Sequence, residues 1–273
     1  DQHRADCLGC MGHPVIQTPN LDRVAREGVV FENAFCQSPA CMASRGSLLT
    51  GRYPEAIRVR GMGVLPPAET TFPEHLKRHG YRTGAFGKVH LTPEQYTLLQ
   101  LGSDVPILDW RRFARDAVLA PIPDDPCKRD YGFDVHVGCD DACQGNFRAW
   151  LRERYPAFAE AKRPAAEPGD PRDVFVSPFP SECHQSTYIA RQAEEFVRGQ
   201  AGPEPWFAFC SFVAPHHPFE APADQIARYD GLDIPLPSAA TVTGIPEPAA
   251  GAIGETAHFS EAAMRRVVLH YLA

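Results

Sequence analysis

No stretch of this sequence approaches the roughly 18 consecutive apolar residues of a membrane-spanning helix. Positive charge is scarce. The 27 Lys and Arg are outnumbered by 34 Asp and Glu, for a formal net charge of −7, which argues against a broad nucleic-acid footprint. There is no disulfide framework of the small-scaffold kind, because the nine cysteines are odd in number and scattered. Cys7-x-x-Cys10 and Cys139-x-x-x-Cys143 could be read together as a zinc site, but neither pair sits in a compact knuckle-like segment. A thioredoxin-type reading of Cys7 and Cys10 is opposed by Gly9, Met11 and Gly12, which suggest a loop. An initial methionine and a signal peptide are both missing. The chain starts at Asp1 and stops inside a helical run at Leu269–Ala273. The expectation is a piece of a longer protein. The compartment is therefore left open, with the cytoplasm as the working expectation.

What is present is ordinary globular material. The 273 residues, 44% hydrophobic and 22% charged, can bury a sizeable core in one large or two smaller domains. The most informative stretch runs from Cys36 to Gly51, CQSPACMASRGSLLTG. Ser44 as N-cap, Leu48 and Leu49 as a buried face and Gly51 as a stop predict a short helix. Cys41 then falls just before a helix N-terminus, where N–H groups and the dipole favour an anion. The same place lowers a thiol pKa, and Arg45 adds a fixed positive charge one turn along. The result is an electropositive pocket around one cysteine. A buried structural cysteine beside a surface arginine is the competing reading, since free Cys is among the most buried residue types.

Other segments read as scaffold with chemistry at its edges. Thr18 as cap and Pro19 at the first position start a helix with Leu21, Val24 and Ala25 on one face, ended by Gly28. Val29–Phe31 then begins an extended segment. Phe72–His79 predicts a helix and Tyr81–Gly87 a strand, which is half of an α/β repeat. Ligand sites in such sheets lie off the carboxyl ends of strands, and Lys88 and His90 follow this one directly. Two apart on an extended segment they would point the same way, although a solvated strand end is the alternative. Residues 97–186 are the least patterned, with loop-like Ala120–Pro126 and Arg163–Pro171, and read as a variable insertion. Asp140 and Asp141 could bind a cation or be solvated. Ser186–Arg198 predicts an amphipathic helix with Ile189, Ala193, Phe196 and Val197 inward. Trp206–Val213 reads as a strand covered on both faces. It runs into Pro215-His216-His217-Pro218, where the histidines suit either chemistry or structure. His184, before the amphipathic helix, is a further candidate pocket residue. Phe259–Ala273 reads as helix.

Cys41-Met42-Ala43-Ser44-Arg45, followed by Leu48, Thr50 and Gly51, resembles the signature of the type I sulfatases, with Ala43 where the usual pattern has proline. Asp1-Gln2-His3-Arg4-Ala5-Asp6, Gly87-Lys88-Val89-His90 and Pro215-His216-His217-Pro218 resemble three further motifs of that family. Thr18–Arg23, also similar to a family segment, is assigned to packing. The resemblance implies an α/β, alkaline-phosphatase-like fold with a mostly parallel central sheet flanked by helices, in one domain portion spanning residues 1–273. It implies that Cys41 is oxidised to formylglycine by a formylglycine-generating enzyme. Asp1 and the modified Cys41 would hold a divalent metal, Ca²⁺ foremost, with Mg²⁺ or Mn²⁺ as alternatives.

The implied reaction is hydrolysis of a small-molecule or carbohydrate sulfate ester by Cys41, Arg45, Lys88, His90 and His216. The hydrated aldehyde at Cys41, held by the metal and Arg45, would attack sulfur. Lys88 and the metal would neutralise the sulfate. His216 would protonate the leaving alcohol, and His90 would deprotonate the second hydroxyl to expel sulfate. His217 falls at a variable position, and His217 and His184 would line the pocket. The family's later metal-binding strand and second lysine have no counterpart in this sequence. A phosphonate monoester or phosphodiester hydrolase of the same superfamily is the alternative. The Lys88–His90 pair, which such relatives lack, leans toward sulfate. A non-catalytic anion-binding homologue is the alternative from another class.

Overall fold

Three parallel strands form the framework of the candidate site. The computed structural model describes residues 1–59, 61, 63–66, 68–91, 130–139, 146–162, 164, 174–236 and 260–273. In chain order its helices and strands are α1 (Pro19–Glu27), α2 (Cys41–Thr50), α3 (Phe72–Arg78), β1 (Arg82–Gly87), β2 (Val135–Gly138), α4 (Asn146–Arg154), β3 (Val174–Val176), α5 (Gln185–Arg198), β4 (Trp206–Ser211), β5 (Phe219–Ala221), α6 (Ala223–Tyr229) and α7 (Glu261–Leu272). They fall into two units. One comprises Asp1, Asn33–Glu160 and Gln185–Val213; the other comprises Gln2–Glu32, Ala161–His184 and Ala214–Ala273. Among the described residues no helix is long and apolar enough to cross a membrane.

In the first unit the strand order is β2-β1-β4. Gly84 of β1 lies opposite Val135 and Arg82 opposite Trp206, both pairings parallel. β1 is buried from Thr83 to Gly87, as a central parallel strand should be. It is entered from α3, whose start carries a full capping box between Thr71 and Glu74. Its end is set by a close approach. Gly87 has φ +90°, and a Cβ there would stand 2.1 Å from the Ser211 carbonyl oxygen. Only glycine fits, and the chain turns out of the sheet into Lys88. α2 packs on this framework through Met42, Ala43 and Leu49, which share a buried cluster with Ile57, Leu65, Ala85, Val89 and Phe133.

Several details differ from the sequence reading. α2 starts at Cys41 itself, with Ala40 as N-cap. The Ser44 N–H donates to the Ala40 carbonyl at 2.9 Å, so Ser44 lies inside the first turn. Leu48 is 58% exposed while Leu49 is fully buried. Adjacent helical residues lie about 100° apart, so only one of the two can join the stripe of Met42 and Gly46. Val197 of α5 is exposed for the same reason, whereas Ile189, Ala193 and Phe196 are buried. β4 ends at Ser211 and is only half-buried, because it pairs with β1 on one side and with no other strand among the described residues. Lys88 and His90 do not share an extended strand, since His90 has φ +51°. The stretch read as irregular carries β2, α4 and β3. Ala120–Pro126, Asp140, Asp141, Cys143 and nearly all of Arg163–Pro171 lie outside the described residues.

In the second unit β3 and β5 pair in parallel, Val174 opposite Phe219, and α7 packs against them. Cys7, Tyr229, Ile234 and Leu272 form its core cluster. α1 buries none of its residues, and Leu21 and Val24 are exposed instead of facing a core. Its anchor is polar. The Thr18 hydroxyl accepts the Gly9 N–H (2.8 Å) and donates to Asp22 (2.8 Å), and the Asp22 carboxylate accepts the Cys10 N–H (2.8 Å). Thr18 is thus engaged with a neighbouring turn and makes no side-chain cap bond to α1.

Two predictions follow from the first unit. Gly87→Ala combines a forbidden φ with a backbone clash and should cost about 3 kcal/mol or more in urea unfolding. The second concerns Lys77, which lies 2.9 Å from Asp130 and 3.0 Å from Asp134, while Asp134 also accepts from the Thr83 N–H and hydroxyl. Burial pushes both carboxyls up. The bonds from Lys77, Thr83 and the Gly132 N–H overrule it and hold them below the ordinary value. A lowered folded pKa stabilises above the unfolded value of about 4 and is lost as the pH falls through the folded one. Asp134→Asn should therefore flatten the acid limb of a stability–pH profile.

Candidate active site

α2 carries Cys41 at its first position and Arg45 four residues later, on the same face. Ala40 offers the first turn no side-chain acceptor, and a helix start of this kind favours an anion. Arg45 reaches from α2 to the carboxyl end of the sheet. Its Nη1 donates to the Lys88 carbonyl (2.5 Å) and to Ser211 Oγ (3.0 Å). Its Nη2 lies 3.4 Å from Asp1 Oδ2. Lys88 Nζ lies 3.2 Å from the same oxygen, with a side chain that is 0% exposed. The Asp1 nitrogen donates to the Phe212 carbonyl at 2.8 Å, which ties Asp1 to the end of β4. His90, two residues beyond Lys88, is buried and held in a left-handed backbone conformation.

Asp1 lies between Arg45 and Lys88, and all three side chains are nearly excluded from solvent. A guanidinium and an ammonium presented together suit an anionic group. The N-terminus of α2 acts in the same direction.

The structure thus brings together Asp1, Arg45 and Lys88 of the predicted residues, with Cys41 one turn from Arg45 and His90 two residues from Lys88. His216, His217 and His184 belong to the second unit. There the His216 and His217 rings stack at 4.2 Å, and His216 Nδ1 bonds the His217 carbonyl. A carbonyl only accepts, so Nδ1 is the protonated nitrogen in this bond. His184 is buried, and its N–H donates to the Ser181 carbonyl. Ser211 was missed by the sequence reading. Its signal was there, as the only hydroxyl in the apolar run Trp206–Val213.

The fit to a metal is incomplete. Asp1 is the carboxylate that the described residues bring to Arg45 and Lys88, and its Oδ2 already faces both cations. Among the described residues no group of three or more His, Cys, Asp or Glu side chains could hold an ion. These residues alone do not form a cation site. For the zinc reading, Cys7 and Cys10 fall in one unit and Cys139 in the other.

A sequence model of the family described as Sulfatase matches residues 1–268. The chain is 30% identical over 242 residues to an arylsulfatase of Clostridium perfringens, covering 87% of this chain and 46% of that protein. In structure it is similar to the phosphonate monoester hydrolase of Agrobacterium radiobacter, with a TM-score of 0.68 at 23% identity, covering 100% of this chain and 55% of that one. It is also similar to BT4656, solved in complex with its substrate D-glucosamine-2-N,6-O-disulfate, with a TM-score of 0.52 at 19% identity, covering 88% of this chain and 38% of that one. The chain spans about half the length of the arylsulfatase and of the phosphonate hydrolase. The fold is α/β and alkaline-phosphatase-like, as the sequence led us to expect.

Removing one cation tests the charge argument. Lys88→Met in the full-length protein removes one of the two cations and should weaken inorganic sulfate binding about tenfold or more by calorimetry. Unchanged affinity would show that the cluster is not an anion site.

Proposed function

The chain belongs to the sulfatase family, and on that footing we propose that the full-length protein hydrolyses a sulfate monoester at the site of Cys41, Arg45 and Lys88. The observation that carries this reading is the meeting of two buried cations, Arg45 and Lys88, beside a helix headed by Cys41. A sulfate ester is an anion with a charge-dispersed head, which suits a guanidinium and an ammonium presented together. Formylglycine at Cys41, made by a formylglycine-generating enzyme, would supply a hydrated aldehyde with one hydroxyl to attack sulfur and a second from which sulfate can be expelled.

The chain's own residues do the rest. Lys88 neutralises charge on the sulfate oxygens. Arg45 orients the group at Cys41. His90 takes a proton as sulfate departs, and protonation of the leaving alcohol is the role that the family resemblance assigns to His216. A divalent cation, calcium foremost, belongs to this reading with Asp1 as one ligand. The modified Cys41 would be a second, and no step here is routed through the ion. A sulfated carbohydrate is the substrate class we favour, as in the BT4656 complex. Phosphonate monoester hydrolysis is the second reading, because a hydrolase of that kind shares the fold.

The test is a comparison of kcat/KM for aryl sulfate, sugar sulfate and phosphonate monoesters with the full-length, matured protein. Sulfate esters should be preferred. Unmodified Cys41→Ser, which has no second hydroxyl, should not turn over. Multiple turnovers by that variant, or a faster rate on phosphonates, would contradict the assignment.

A further inference from the structure

We infer that Ser211 is a positioning residue that sets the Arg45 guanidinium for the reaction. The inference deepens the sulfatase reading and rests on it only for its activity readout. Ser211 is the last residue of β4. Its hydroxyl oxygen accepts from Arg45 Nη1 at 3.0 Å, and its carbonyl accepts the Lys88 N–H at 2.9 Å. The same carbonyl stands where a side chain on Gly87 would have to go. One residue therefore fixes the lysine through its backbone and the arginine through its side chain.

The arginine needs fixing. Its side chain spans from α2 to the sheet and carries about 2 kcal/mol of rotamer entropy. Nη1 has two hydrogens. One goes to the Lys88 carbonyl and the other to the Ser211 hydroxyl. With both directions of Nη1 set, the planar guanidinium cannot rotate, and its Nη2 edge is turned toward Asp1. Without the hydroxyl, Nη1 loses one of the two bonds that set it and the plane is held less firmly. The Ser211 side chain acts through Arg45.

The test uses the full-length protein with ¹⁵N-labelled arginine. Arg45 Nη–H resonances are assigned by their loss in Arg45→Met, a variant that leaves Asp1 paired with Lys88. They should be resolved in the wild type and in Ser211→Thr, and collapsed by rotation in Ser211→Ala. Ser211→Cys, with its weak acceptor, should fall between, and it carries the same expectation if the alanine variant does not fold. In activity, Ser211→Ala should lose about tenfold to hundredfold in kcat/KM on an aryl sulfate, as expected for a lost bond to a charged group. Ser211→Thr should restore it. In the Arg45→Met background, Ser211→Ala should cost nothing further, because the two residues act as a unit. Resolved Arg45 resonances in Ser211→Ala, or losses that add in the double variant, would overturn the inference. If the resonances behave as expected but the wild type hydrolyses no sulfate ester, the sulfatase reading fails and the positioning role stands.

Discussion

One carboxylate oxygen, Asp1 Oδ2, lies 3.4 Å from Arg45 and 3.2 Å from Lys88, and the site depends on this contact. Two buried cations this close would repel each other without it. With it the guanidinium and the ammonium can be held side by side in a place nearly excluded from solvent.

The sheet brings these groups together from distant parts of the chain. Parallel strands end on the same side, so β1 and β4 deliver Lys88 and Ser211 to one edge. Gly87 allows the close crossing that puts the Lys88 N–H on the Ser211 carbonyl. α2, seated by Met42, Ala43 and Leu49, then brings Arg45 across from outside the sheet. A packing defect at any of these points would shift a charge. This is why a glycine and a serine with no chemistry of their own matter to the site.

Local signals made much of this legible in the sequence. The Gly51 stop, the helix before β1, the buried strand leading to Lys88 and the apolar run Trp206–Val213 all depend on neighbouring residues. Helix phase was harder. Leu48 and Val197 are apolar but sit one residue off the buried stripe, and composition alone does not say which of two adjacent apolar residues turns inward. β2 is only four residues long, VHVG, too short for a periodicity to register. The meeting of Asp1 with Arg45 and Lys88 is a product of topology. No spacing encodes it, and the family resemblance was the only route to it before the structure. Pro215-His216-His217-Pro218 was legible as a motif, and the bond from His216 Nδ1 to the His217 carbonyl was not.

In the reading we propose, the residue at the head of α2, beside Arg45 and Lys88, is the reactive one. The most direct measurement is the mass of the peptide spanning Cys41, taken from full-length protein produced with a formylglycine-generating enzyme. A loss of about 18 Da, the change from thiol to aldehyde, is expected and should be confined to that residue. A peptide that keeps the full mass of an unmodified thiol would contradict it and leave the charged cluster as an anion-binding site without a nucleophile.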